Sequence, residues 1–124
     1  MKPFTTKVTR TVIVSNEDMR DILDTFFYSP DPWVLNWKVK SGHADAEYAA
    51  HTPVYEGGSI ELTIEECDFD STQVLNRERL AYGLEEMGRS PHQEALGRLL
   101  AGEYDYEDAD LLIQYALFDE PLFG

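Results

Sequence analysis

Hydrophobic and polar residues alternate in two different periods along this chain, and the changes of period mark its elements. From Lys7 to Ser15 the segment is rich in β-branched residues, with Val8, Val12 and Val14 at one parity, which predicts a strand. Ser15 then fits a helix N-cap, with Asp18 three residues on as an acidic form of the capping box. Met19, Ile22, Leu23, Phe26 and Phe27 follow at helical spacing, and Ser29-Pro30-Asp31-Pro32 stops that helix near Tyr28. Trp33 to Lys40 alternates again, placing Trp33, Leu35, Trp37 and Val39 on one face of a second strand. Ala44 to Ala50 is alanine-rich and predicts one or two helical turns. Gly57-Gly58 reads as a turn, and Ser59 to Glu65 as a strand with Ile60, Leu62 and Ile64 inward.

The second half is helical. Asn76 caps a predicted helix that runs to about Met87, with Leu80, Leu84 and Met87 on its apolar side and Gly88 at the C′ position. Ser90 and Pro91 fit the N-cap and N1 of a further helix carrying Ala95, Leu96, Leu99 and Leu100, which Gly102 ends. Asp105 caps a last helix with Ala109, Leu112, Ile113, Ala116 and Leu117 inward. Asp119-Glu120-Pro121 stops it, and the apolar Leu122-Phe123 is expected to fold back on the body. The order strand, helix, two strands, three helices predicts an α+β domain, residues 1–124, with a small, mostly antiparallel sheet of about three strands covered by three to four helices. No repeat and no Gly/Ser linker divides it.

Composition narrows the partners. The 124 residues hold 24 Asp plus Glu against 10 Lys plus Arg, a net charge of −14, while 43% hydrophobic and 12% aromatic residues argue for a packed core. Such a charge disfavours direct binding of nucleic acid, which needs Lys and Arg against phosphates, and disfavours anionic membrane surfaces equally. No apolar run approaches the roughly 20 residues of a membrane span, and MKPFTTKVTRTV lacks the apolar region of a signal peptide, so a cytoplasmic protein is expected. One cysteine leaves no internal disulfide. The charge is segregated: Lys2, Lys7 and Arg10 stand near the start, whereas Ser41 to Asn76 and the residues after Arg98 contain no Lys or Arg.

Candidate chemistry is sparse. On a helix His43, Glu47 and His51, with Asp45 nearby, share one face, and imidazole and carboxylate suit a divalent ion. The i, i+4, i+8 spacing spreads them over about 12 Å, too far to meet at one ion, and no HExxH pattern is present. Glu65, Glu66, Asp68 and Asp70 lack the pattern of an EF-hand loop. Cys67 stands among carboxylates that disfavour its thiolate, with His43, His51 and His92 as its only conceivable bases. There is no P-loop, no G-x-G-x-x-G and no G-x-S-x-G. The sequence therefore predicts neither an enzyme nor a metal or other cofactor. Trp33, Trp37, Tyr48 and Tyr55 are read as core and flanking aromatics rather than as a binding surface.

The C-terminal stretch Asp105 to Gly124, DYEDADLLIQYALFDEPLFG, is similar to the end of a family of small uncharacterised proteins of phages and prophages. The matching positions are Ala109-Asp110, Gln114 to Phe118, Glu120 and Phe123-Gly124, with Asp119 where the family carries Gly. Val12 to Asp24, Trp37 and Gly57-Gly58 resemble it at three earlier points. The resemblance implies a phage origin and no catalytic residue. By analogy of size, acidity and origin it implies a stoichiometric inhibitor of a host protein, an anti-CRISPR-like or other anti-defence protein acting in the host cytoplasm. Its acidic surface would imitate nucleic acid and block a nucleic-acid-binding defence complex. The expected partner-binding residues are the outward-facing acids Glu61, Glu65, Glu66, Asp68 and Asp70, then Glu103, Asp105, Glu107 and Asp108. The alternative is a phage structural, accessory or regulatory subunit forming a homodimer, suggested by Leu122-Phe123 and the aromatic content.

Overall fold

A computed structural model describes residues 3–4, 11–28, 33–41, 54, 57–64 and 72–123. Within them the order is α1 (Asn16–Tyr28), β1 (Val34–Ser41), β2 (Ser59–Ile64), β3 (Thr72–Asn76), α2 (Arg77–Gly88), α3 (Gln93–Ala101) and α4 (Tyr106–Phe118). The three strands form one antiparallel sheet in the order β1-β2-β3, and with the four helices they make an α+β fold. No described helix is long and apolar enough to cross a membrane.

Local chemistry explains the helix starts. The Ser15 hydroxyl accepts the Asp18 N–H at 3.1 Å, so the anticipated cap opens α1. Asn76 is both the last residue of β3 and the N-cap of α2, with its backbone extended and its Oδ1 accepting the Arg79 N–H at 2.8 Å. Asp105 and Asp108 close a capping box on α4: Asp105 Oδ1 accepts the Asp108 N–H, and the Asp108 carboxylate accepts the Asp105 N–H. Gly102 ends α3 at φ +74°, a left-handed conformation that glycine takes without the Cβ penalty.

The core lies between the sheet and α4. Ile60, Leu62 and Ile64 of β2 and Leu75 of β3 are buried in the same core cluster as Met19, Ile22, Leu23, Phe26 and Phe27 of α1. α4 is the central helix. Nine of its 13 residues are buried, on all sides, because α1, α2, α3 and β3 surround it. α2 runs against α4 so closely that a Cβ on Gly83 would stand 2.9 Å from the Ala116 backbone nitrogen.

Five expectations from the sequence need correction. The strand expected over Lys7 to Ser15 is absent where the chain is described: Thr11–Ser15 leads into α1 without pairing, with Ile13 91% exposed, and residues 5–10 lie outside the described residues. β3 was not anticipated. Leu35 does not share the inward face. A bulge between Val34 and Asn36 turns it out to 61% exposure and brings Val34 inward instead. Gly88 is the last residue of α2 rather than its C′ residue, and Arg89 caps the helix. α3 starts two residues later than the Ser90-Pro91 pair suggests, because the Ser90 hydroxyl accepts the His92 N–H and donates to Met87 O, forming a separate turn. The helix expected over Ala44 to Ala50 lies outside the described residues.

The close α2–α4 contact makes a paired test. Gly83→Ala should destabilise by about 1–3 kcal/mol, since the obstructing atoms are backbone. Gly97→Ala, on the exposed side of α3 with nothing near its Cβ position, should stabilise by about 0.5–1 kcal/mol. Urea denaturation of the two variants checks both signs.

Candidate functional site

Two polar constellations and one acidic face stand out, and each follows from how α4 is placed. The first is internal. Gln114, fully buried on α4, points at the chain end, where its Oε1 accepts the N–H groups of Leu122 and Phe123 at 2.7 and 2.8 Å. Its Nε2 donates to Phe123 O at 3.1 Å and to Asp110 Oδ2 at 2.8 Å. Asp110 Oδ1 in turn accepts the indole N–H of Trp33 at 2.8 Å. Phe123 stacks on Trp33, with ring centroids 5.1 Å apart and planes within 3°. The expected return of the tail is therefore realised by Phe123, while Leu122 stays 45% exposed. This network satisfies buried polar groups and fastens the chain end. Its members partner one another, as polar groups buried in a core require.

The second constellation is the ion pair of Arg98 and Asp108. Arg98 Nε and Nη2 donate to the two carboxylate oxygens of Asp108 at 2.7 Å each, the bidentate geometry in which a guanidinium matches a carboxylate. The guanidinium hydrogen bonds hold the Asp108 carboxyl below the ordinary aspartate value against the opposing effect of burial, and push the Arg98 value up. Asp108 is 2% exposed, so it does not face outward as expected. The capping box and the arginine occupy it because α4 begins under the end of α3.

The acidic face is built from α1 and the segment that enters α4. The apolar residues of α1 face the core, which leaves Glu17, Asp18, Asp21 and Asp24 exposed. Tyr104, between exposed Glu103 and Asp105, packs beside that surface. Its hydroxyl ionises above the usual tyrosine value, first because it is partly buried and then because the carboxylates of Asp21, Asp18 and Asp24 oppose a second negative charge. A side-chain hydrogen bond with Thr25 acts in the other direction. The ring of Tyr106 stacks parallel to that of Phe26, with centroids 6.1 Å apart, and pins the same segment to α1. Glu103 and Asp105, which flank Tyr104, are thereby brought near the acids of α1. Arg20 is paired with Asp21 at 3.4 Å and Arg98 with Asp108, which neutralises two carboxylates there.

The acids singled out from the sequence are distributed as follows. Glu103, Asp105 and Glu107 are exposed on the segment that carries Tyr104 and Tyr106, though the Asp105 side chain also serves as a cap. Glu61 lies on β2, half-buried, 3.5 Å from Lys38 Nζ, and belongs to the sheet. Glu65, Glu66, Asp68 and Asp70 lie outside the described residues, as do His43, Asp45, Glu47, His51, Tyr48, Tyr55 and Cys67. Trp33 is buried in the core as anticipated, and Trp37 is half-buried against Phe27, ring centroids 5.1 Å apart. His92 shares a 2.8 Å hydrogen bond with the Tyr115 hydroxyl, an anchor of the α2–α3 turn on α4. Asp18, Asp21 and Asp24 are not among the partner-binding acids expected from the sequence, in which Asp18 is read as a capping residue. The signal for them was the helical wheel of α1, where the acids fall opposite the apolar stripe.

No protein-family model, no curated protein and no solved structure matches the chain.

Two outcomes follow for the buried polar groups. Gln114→Leu removes the hydrogen bonds that Gln114 makes with the N–H groups of Leu122 and Phe123, with Phe123 O and with Asp110, and should cost about 2–4 kcal/mol. It should also free Phe123 from Trp33, read as a shift of indole fluorescence in a Trp37→Phe background. Asp108→Asn should cost about 1–3 kcal/mol near neutral pH. Because the folded carboxyl titrates below its unfolded value, that stabilisation is complete above the unfolded pKa and disappears as pH falls through the folded one. Denaturation curves of wild type and variant should therefore converge in acid and separate above the ordinary aspartate range.

Proposed function

We propose that the protein acts by binding another protein through its acidic surface, as an anti-defence inhibitor of the anti-CRISPR kind that imitates nucleic acid before a basic channel of a host complex. The observation that carries this reading is that the exposed acids of α1 lie close enough to act on Tyr104, which the exposed Glu103 and Asp105 flank, in a chain of net charge −14. A field of one sign speeds encounter with a basic partner and makes binding sensitive to salt. The resemblance of the last twenty residues to phage proteins gives the reading its biological setting, and the absence of catalytic motifs favours binding over chemistry.

The alternative, an accessory or regulatory subunit in a homodimer, draws less support from the tail, because Phe123 packs into its own chain. It draws more from the exposed apolar side chains Val12, Ile13 and Leu100.

The test is affinity capture from bacterial lysate at low and high salt, with the bound proteins identified by mass spectrometry. A nucleic-acid-binding protein should be recovered at low salt and lost at high salt. The triple reversal Asp21→Lys, Glu103→Lys, Glu107→Lys should weaken its binding at least about tenfold at low salt and flatten the salt dependence. Equal capture by that variant would sink the reading for this face.

A further inference from the structure

A shallow apolar groove adjoins the acidic face. It lies where the Thr11–Ser15 segment crosses beside the ends of α2 and α3. The buried Ile22 and Leu99 and the half-buried Leu84 and Val14 line it. Around it stand Ile13 at 91% exposure, Val12 at 44% and Leu100 at 41%. Large aliphatic side chains exposed together beside a groove are what a monomer ordinarily avoids, and they mark contact sites. The charged residue of the lining is Asp18. Asp18 is also one of the three α1 carboxylates that act on Tyr104, so the groove and the acidic face share an edge.

We infer that this groove is the docking site for a cationic amphipathic segment of a partner protein, which seats an aliphatic or aromatic side chain between Ile13 and Leu100 and sets Lys or Arg against Asp18. The inference rests on the acidic-surface reading and gives that partner its chemistry. Charge complementarity selects the occupant. An apolar centre with a charged rim is the arrangement in which the centre supplies affinity and the rim supplies steering and register. A second copy of this chain would bring its own Asp18 and a further −14 of charge to the same place, which opposes self-association. An anionic lipid surface is repelled for the same reason.

The probe is a fluorescein-labelled peptide of Leu and Lys with Leu at helical spacing, followed by fluorescence anisotropy against the full chain. Two controls accompany it: the same composition with Leu scattered around the helix, and a peptide in which Ser replaces every Leu. The amphipathic peptide should bind more tightly than both. Ile13→Ser with Leu100→Gln should weaken it at least about tenfold with the circular dichroism and Tm unchanged, since both side chains are exposed. Ile13→Ser alone, outside any helix or strand, serves as the second variant and should weaken it in the same direction. Asp18→Asn should weaken it at low salt and have little effect at high salt.

Three results would overturn the inference. Equal binding of the Ser-containing peptide, with no effect of the Ile13 and Leu100 changes, removes the groove and leaves the acidic-surface reading intact. Binding that depends on Ile13 and Leu100 but ignores salt and Asp18→Asn removes the acidic-surface reading along with the charge complementarity on which the occupant was chosen. A concentration-dependent dimer in light scattering that the double variant abolishes assigns the groove to a second copy instead.

Discussion

The hydrogen bond from the Trp33 indole to Asp110 joins residues 77 positions apart and links the entry to the sheet to the middle of the central helix. Much of the molecule is arranged around it. A carboxylate placed that deep needs donors, and Trp33 and Gln114 supply them, one from the chain entering β1 and one from the next turn of α4. Gln114 then has an oxygen to satisfy and does so with the backbone of Leu122 and Phe123. Phe123 covers the other side of Trp33, with Phe26 and Phe118 completing the aromatic cluster. One buried acid thereby brings α1, β1, α4 and the chain end into a common arrangement.

The same placement of α4 produces the outer surface. Its N-terminus must emerge beneath α3, where Arg98 meets Asp108, and the preceding residues must cross α1. The acids of two distant segments then fall together without any local sequence motif. The mutual repulsion this entails is tolerated because the carboxylates face water and Arg20 and Arg98 neutralise two of their neighbours. Where α1 faces the Thr11–Ser15 segment, the acids give way to aliphatic side chains, so the charged face has an apolar border.

Elements with a strong period or a polar cap were legible from sequence alone. α1, β2 and α4 each carry an unbroken stripe together with Ser15, Gly57-Gly58 or Asp105 as punctuation. What escaped was set by tertiary contacts. β3 is five residues long with a single buried side chain, Leu75, and has no alternation to reveal it. The β-branched run before Ser15 has strand propensity, yet Thr11–Ser15 makes no ladder, so propensity found no partner there. Leu35 follows the alternation in sequence and loses it in space, because a bulge resets the parity. For the acidic site, Glu103, Asp105 and Glu107 could be read from composition and capping. Asp108 could not, since only the approach of Arg98 takes it out of solvent. Asp119 has φ +69°, the only positive value among the described non-glycine residues, so the end of α4 takes a left-handed geometry that no feature of the sequence around it announces.

Asn76 ends a strand and begins a helix with no residue between the two roles. The hydrogen-bond register of β3 on β2 therefore fixes the rotational phase of α2 as well as its position. Adding or deleting one residue at this junction would turn the helix by about 100° about its axis. Gly83 would then leave the α4 contact, and a bulkier side chain would enter it. Chain length at the junction is thus constrained as strictly as residue identity, and homologues should vary in composition on either side of it far more readily than in spacing.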